Sequence, residues 1–163
     1  MHENVKSGDI AHYFDIGTEE TPAITLGIVM TDLSENSNPK ETTKQYYLDK
    51  SETTTVTGFS NEFAITSDLV KNDLVSMYFY NIFRNRKMGS EAQTIHYYVD
   101  LYAPVNEQEN TYEARKSVES VVIGSATQTP GEDITFEGSL KGVGDMINGT
   151  FNTETKTFIE DSI

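Results

Sequence analysis

Histidines, carboxylates and a glycine pair are the residues of this chain whose types and spacing could do chemistry. The three histidines, His2, His12 and His96, are scattered, and no H-E-x-x-H pattern of a zinc protease is present. We therefore interpret His12 and His96 as ordinary strand residues rather than metal ligands. The sequence predicts neither a bound metal nor a cofactor.

Paired carboxylates could serve a hydrolase, and acidic residues are plentiful here. The pairs lie in contexts typical of turns and strand ends, namely Glu19–Glu20, Glu107–Glu109, Glu132–Asp133 and Glu160–Asp161. The glycine pair in "KGVGD" lacks the third glycine of a dinucleotide fingerprint, because that position is Ile147. No serine stands in a G-x-S-x-G elbow. We predict no catalytic residues and no enzyme.

Composition narrows the classes of partner. The chain has 163 residues, which indicates one domain spanning 1–163, and 26 acids against 12 bases give a formal charge of −14. A surface of that sign repels nucleic acid, which argues against binding that grips phosphates. The absence of cysteine excludes disulfides and thiolate chemistry. Without a signal-peptide pattern or a long apolar run, we expect no classical export and no membrane span.

Most of the chain has the pattern of short β-strands. Phe63 and Ile65 alternate with polar neighbours, as in a half-buried strand. We interpret "AITLGIVM" as one strand buried on both faces and "TDLSENSNPKETTK" as a long polar connection. Further strand candidates are 10–16, "TIHYYVDLYA", "SVESVVIGSATQT", "DITFEGSL", and a terminal pair at 146–151 and 156–159.

One segment, "KNDLVSMYFYNIFRNRKMG", has helical periodicity instead. Its apolar stripe follows the i, i+3, i+4, i+7 pattern and comprises Val75, Tyr78, Phe79 and Ile82, widened by Leu74 and Phe83. Asn72 or Asp73 can cap the start, and Gly89 stands where a glycine often follows a helix. The sequence predicts one α-helix at about 72–88. The predicted fold class is α+β, mainly antiparallel β: a β-sandwich or flattened barrel with one flanking helix.

Arg84, Arg86 and Lys87 form the one concentration of positive charge in this acidic chain. Cations at the end of a helix are favoured by the helix dipole, which is a sufficient local explanation. A docking patch for an acidic neighbour is the functional interpretation, and both interpretations can hold together.

Taken in order, several segments resemble the major tail (tail tube) proteins of long-tailed bacteriophages and the tube subunits of phage-tail-like bacteriocins. The segments are "SNPKETTKQYYL", "FAITS" before the helix, "YYVDLY" after it, and the closing "GEDITFEGSLKGVGDMINGTFNTETKTF". The resemblance extends from about Asn38 to the end of the closing segment. It implies a non-enzymatic structural subunit that assembles into hexameric rings, which stack into a hollow tube through which DNA passes during ejection.

The resemblance also implies partners and a location. Partners would be other copies of the chain and other tail proteins, namely tape measure, terminator and baseplate or distal tail proteins. Assembly would take place in the host bacterial cytoplasm and the product would be part of the virion. A long loop or hairpin at about 32–58 would reach a neighbouring subunit. The expected interface residues are Asn38, Pro39, Thr53, Thr54, Thr55, Arg84, Arg86 and Lys87.

Strands with Thr, Ser, Asn and Gly on one side can line a wet lumen, and a lumen biased toward Asp and Glu would repel DNA and keep it sliding. Two alternatives stay open. A tail terminator or ring component would form a single ring without extending. A carbohydrate-active or carbohydrate-binding β-sandwich would use acidic groups and exposed tyrosines such as Tyr97 or Tyr102, although the lack of tryptophan argues against it.

Overall fold

The computed structural model describes residues 2–162, and within that range it contains ten strands, one α-helix and two short 3₁₀ turns. The strands are β1 (Ile10–Asp15), β2 (Ile24–Leu26), β3 (Met30–Asn36), β4 (Lys40–Lys44), β5 (Thr53–Gly58), β6 (Glu62–Asp68), β7 (Gln93–Pro104), β8 (Thr111–Thr127), β9 (Thr135–Asn152) and β10 (Thr157–Glu160). The helix α1 is Leu74–Arg84, and the 3₁₀ turns are Ser7–Asp9 and Gly89–Ala92.

Eight strands form one antiparallel sheet in the order β2-β1-β7-β8-β9-β6-β3, with β10 added beside β9. The sheet curls into a half-barrel, and α1 packs against it. The predicted class, α+β with mainly antiparallel strands and one flanking helix, is confirmed. Strands β4 and β5 pair only with each other and form a separate two-stranded sheet.

Three strand assignments from the sequence are wrong in detail. "AITLGIVM" is not one strand, because the chain leaves β2 at Gly27 and enters β3 at Met30. The proposed polar connection is two strands, β3 and β4, both exposed over most of their length. The strands expected at "DITFEGSL" and at 146–151 are one continuous β9, which passes Gly144 at a positive φ of 77° in an irregular stretch of the ladder to β8.

One face of the sheet carries the main core beneath α1. Phe63 and Ile65 from β6, and Phe136 and Leu140 from β9, are at most 2% exposed. Burial of each such side chain contributes roughly 1.5–3 kcal/mol to stability. The helix contributes Val75, Phe79 and Ile82 to this cluster, as its periodicity predicts, whereas Leu74 is 63% exposed.

A second, smaller core lies on the other face, at one end of the sheet. Tyr13, Tyr97 and Phe151 meet there with ring centroids 4.7 Å and 5.3 Å apart in the pairs that Phe151 makes. A Cβ atom at Gly149 would collide with the backbone carbonyl oxygen of Ile159 in β10 and would lie 2.5 Å from the Phe158 ring. The terminal hairpin therefore needs glycine at 149, and Tyr97 is buried rather than available as a sugar platform.

Candidate assembly interface

A hairpin projects from the sheet and has almost no buried surface. We call residues 40–58, comprising β4, β5 and their connecting loop, the arm. Every arm residue before Gly58 is exposed, and the side chains of Thr43 and Thr54 form a hydrogen bond of 3.2 Å across it. An isolated two-stranded hairpin is at best marginally stable in water. The arm therefore lacks the packing partner that its conformation calls for.

The root of the arm is held by a small hydrogen-bonded turn. The amide of Ser60 donates to the carbonyl of Ser37 at 2.9 Å, so the two ends of the arm leave the sheet side by side. Asn38 has a positive φ of 43°, and its Nδ2 donates to the carbonyl of Ser60 at 3.0 Å. Asn38 and Pro39 thus lie at the hinge of the arm, and Thr53, Thr54 and Thr55 lie along β5.

The tip of the arm exposes three large side chains in succession. Tyr46, Tyr47 and Leu48 are 71%, 100% and 88% exposed. The loop that presents them is ordered by Asp49, whose carboxylate accepts from the amide of Tyr46 at 3.2 Å. The carbonyl of Asp49 in turn accepts from Gln45 Nε2 at 3.0 Å. The exposure therefore belongs to a defined turn.

Arg86, one of the three basic residues in the predicted interface, has a local role at the end of α1. The amide of Arg86 donates to Phe83 O at 3.2 Å, and the amide of Lys87 donates to Ile82 O at 3.1 Å. These two bonds, with Arg86 at a φ of 51°, form a Schellman motif. The guanidinium of Arg86 also lies 4.5 Å from the Phe83 ring centroid. The sequence suggested Gly89 as the residue that follows the helix. In the structure Arg86, three residues earlier, adopts the left-handed conformation that ends it.

The predicted interface residues lie in two groups that the fold does not bring together. Five of them belong to the arm or its root, and Arg84, Arg86 and Lys87 belong to the end of α1. Among residues 2–162 no hydrogen bond or ion pair joins the two groups. Any contact between them would have to involve two copies of the chain.

A third exposed surface is the part of the sheet opposite the main core that the second core does not cover. We call it the open face, and the strand registers define its rows. One row is Ser34, Ala64, Ser139 and Val122, and the next is Asp32, Thr66, Glu137 and Ser125. Glu62, Asp68 and Lys141 share this face because they alternate with the buried residues of β6 and β9. Its side chains are mostly small and polar, with four carboxylates and one ammonium.

A buried polar cluster that the sequence analysis missed lies beneath α1. His96 Nδ1 lies 3.0 Å from Glu119 Oε1, which also accepts from Ser117 Oγ at 2.7 Å. His12 Nδ1 lies 2.9 Å from His96 Nε2, so the cluster spans β1, β7 and β8. The serine bonds to the carboxylate and not to an imidazole, which is not the arrangement of a nucleophilic triad. No sequence spacing could indicate this cluster, because its members are distant along the chain.

Burial depresses the basicity of one member of this cluster. Desolvation, with His96 and Arg115 nearby, lowers the pKa of His12 to about 3. Arg115 itself pairs with Glu35 of the edge strand β3, through Nη1–Oε1 and Nη2–Oε2 distances of 2.7 Å and 2.9 Å. That hydrogen-bonded pair lowers the pKa of Glu35. Both arrangements tie strands together, and both are structural.

Residues 2–162 contain neither a metal-binding cluster nor a membrane-spanning helix. No group of three or more His, Asp or Glu side chains is placed to hold a metal ion. No helix in this range has the length and apolar character needed to cross a membrane.

Comparison with known proteins identifies the fold. No protein-family model matches the sequence, and no curated protein matches it. Among solved structures, the SPP1 tail tube has a TM-score of 0.66 at 14% identity, covering 89% of this chain and 78% of that one. A chain of the tail of an empty gene transfer agent (GTA) particle, determined with C6 symmetry, has a TM-score of 0.57 at 7% identity, covering 88% and 97%. A chain of the sixfold-symmetrised anti-feeding prophage (AFP) baseplate has a TM-score of 0.52 at 8% identity, covering 91% and 97%.

These likenesses place the chain in a structural class: its curled sheet with one helix is the fold of tail tube subunits. The resemblance seen in the sequence is thereby supported at the level of the fold. The neighbours are structural components of assembled tails.

Proposed function

We propose that this protein is the structural subunit of a phage tail tube, and that it acts by polymerising rather than by catalysis. Copies would close into hexameric rings, and the rings would stack into a hollow conduit for DNA. The single observation that carries the proposal is the fold, shared over nearly the whole chain with a tail tube. Sixfold symmetry is proposed because two of the similar structures were determined with it.

The free edges of the sheet support self-assembly. Within residues 2–162, β3 pairs only with β6 and β10 only with β9, so each presents backbone groups that are unpaired in this range along its outer side. Unpaired edges favour association with another strand, and closure of a ring removes them. The exposed arm gives a second route to contacts between copies, through Asn38, Pro39 and the threonines of β5.

The open face is our candidate for the wall of the conduit. It is the uncovered part of the sheet, its side chains are short, and its charge is negative. A wall that offered basic groups would hold DNA by counterion release, whereas carboxylates repel the phosphates. We therefore assign Asp32, Glu62, Asp68 and Glu137 to the lumen.

Electron microscopy of the purified chain tests the proposal. We expect hollow tubes whose end views show sixfold rings. Persistent monomers at every protein concentration and salt concentration, and in the presence of other tail proteins, would contradict it. In the host we expect the protein in assembled tails, contacting the tape measure protein inside and terminator and baseplate or distal tail proteins at the ends, after assembly in the cytoplasm.

The likeness to a chain of the AFP baseplate supports a second candidate, a ring component of a tail. A ring component would form single rings that do not lengthen as protein is added. A tube subunit gives lengths that grow with concentration. Nuclease-protected DNA in purified particles would separate the phage subunit from the tube subunit of a bacteriocin.

A further inference from the structure

The tip of the arm is an exposed apolar surface. Tyr46, Tyr47 and Leu48 are held out by an ordered turn, and residues 2–162 cover little of their surface. The tip also carries charge of both signs, with Asp49 and Glu52 against Lys50. A suitable receptor would be a groove with apolar walls and a cationic rim, since cations also favour the faces of tyrosine rings.

One groove of the same chain has this character. We call it the helix-end groove; it lies between the end of α1 and β8 and encloses about 660 Å³. Ile82, Phe83 and Val121 form its apolar walls, and Met88 stands at its mouth with 81% exposure. Arg86 and Lys87 supply the positive charge, and no carboxylate lines it.

Three other grooves have the opposite charge. One is lined by Asp15 and Glu19, another by Asp32 and Glu137, and a third by Asp145, and none of these three has a Lys or Arg side chain. The tip has a net charge of −1, from Asp49 and Glu52 against Lys50, and would meet like charge in each of these grooves. Charge therefore singles out the helix-end groove among them.

We infer that the arm tip of one copy, Tyr46 to Leu48, inserts into the helix-end groove of another copy. The tyrosine and leucine side chains cover Met88, and Asp49 and Glu52 approach Lys87. This inference rests on the proposed self-assembly and specifies one of its contacts. It joins the two groups of residues that the fold of a single chain keeps apart.

The contact uses two different surfaces, so every copy donates one tip and accepts one. Such a head-to-tail contact does not saturate in a pair, and it continues from copy to copy. A contact of this kind suits a growing assembly, whereas a symmetric contact between two tips would stop at a dimer.

The absence of cysteine from the chain allows a clean crosslinking test. The double variant Tyr47→Cys/Met88→Cys is assembled and then oxidised. Because donor and acceptor cysteines lie on different copies, we expect a ladder of disulfide-linked multimers in denaturing gels without reductant. The matched control is Tyr47→Cys/Leu74→Cys, whose second position is also exposed, at 63% against 81% for Met88, but lies at the other end of α1, roughly 15 Å away or more. We expect at least a tenfold weaker ladder from it.

The outcomes separate the contact from the proposed function. Tubes that form but give no Tyr47→Cys/Met88→Cys crosslinks, or equal crosslinks with the control, would overturn the contact and leave the tube function standing. Absence of any assembly by the wild-type chain would overturn both. If the double variant alone does not assemble, the separate Tyr47→Cys and Met88→Cys chains are co-assembled with excess wild-type chain. The contact then predicts disulfide dimers of the two variants, and their absence contradicts it.

Discussion

The buried cluster of His12, His96 and Glu119 is a place where single residues control stability. His12 faces His96 and Tyr98 across the sheet, with Arg115 stacked 4.0 Å over the Tyr98 ring. A protonated His12 would therefore meet a second imidazole and a guanidinium in a partly dehydrated space. This environment explains why its pKa falls to about 3.

Acidification should destabilise the fold through His12. The unfolded chain takes up a proton there below about pH 6.5, whereas the native chain resists it until far lower pH. The contribution of His12 to the free energy of unfolding is therefore complete above that pH. Below it, the free energy of unfolding falls by at most about 1.4 kcal/mol per pH unit. Urea unfolding of the unassembled chain between pH 5 and 8 measures this slope. That range avoids the effect of Glu35, whose lowered pKa acts only in stronger acid.

In the His12→Gln variant we expect a smaller slope of the free energy of unfolding against pH between pH 6.5 and 5. The decrease should correspond to the uptake of up to one proton fewer on unfolding. The comparison uses slopes, so a general loss of stability in the variant does not disturb it. The His2→Gln variant, changed at an exposed terminal histidine, is the control and should keep the wild-type slope. Equal slopes in His12→Gln and wild type would show that His12 does not resist protonation in the native chain.

Arg86 ends α1 in a backbone conformation that is costly for a residue with a side chain. A left-handed residue other than glycine costs about 1 kcal/mol. Arg86→Gly relieves this strain but loses the guanidinium contact with Phe83, whereas Arg86→Ala loses the contact and keeps the strain. We expect the alanine variant to be less stable than the glycine variant by about 1 kcal/mol in urea unfolding. Identical stabilities would contradict the Schellman geometry.

At the scale of single residues, the sequence indicated which residues form a cluster but not what each of them does. Clustered Arg84, Arg86 and Lys87 were visible because they are adjacent in the chain. In the structure Arg86 caps the helix, whereas the side chains of Arg84 and Lys87 are exposed. This difference depends on the φ angle of Arg86, which the pattern of charges in the sequence does not indicate. The His96–Glu119 contact was beyond prediction, since it depends on strand register.

Among the elements, the arm is the part whose conformation least depends on the rest of the chain. Its ends leave the sheet together at Ser37 and Ser60, so a short glycine-rich turn can replace residues 40–58 without stretching the root. Because the replaced residues bury almost nothing, we expect the thermal unfolding of the monomer to change by only a few degrees. We expect tube formation to be lost, which sedimentation velocity and electron microscopy measure.

A second variant changes only the tip: Tyr46, Tyr47 and Leu48 are replaced by Ser in an otherwise complete arm. If the tip is the contacting part, this variant fails to assemble as the armless variant does. Tubes of normal length from the armless variant would show that the arm has no role in assembly.

The sequence predicted elements where local periodicity was strong. The α1 stripe and the alternation of β6 gave the right element and the right buried face. The boundaries of β3 and β9 were missed, because Leu33 is the one apolar residue among Thr31–Asn36 of β3 and because β9 continues through glycines that resemble turn residues. An edge strand and a bulged strand both weaken the period-2 pattern on which the prediction depends.

For the whole molecule, the question is where a charge of −14 is placed. Some of it lies on the open face, where Asp32 and Glu137 flank Thr66 in one row of the sheet. Reversal of both residues in Asp32→Lys/Glu137→Lys changes the charge by four units per copy. These side chains are exposed, so the monomer should fold normally.

Tubes of the open-face variant should take up DNA that wild-type tubes exclude. Lysines on the wall would bind phosphates with release of counterions, so retention should fall steeply as salt rises. Short DNA is mixed with the assembling chain, nuclease is added, and the protected DNA is measured after protein removal. The control, Glu19→Lys/Glu20→Lys, makes the same change of charge in the exposed turn between β1 and β2. It should bind DNA that nuclease still reaches. Equal protection by the two variants would mean that the open face does not line the conduit, because only a wall residue can hold DNA where the tube itself shields it.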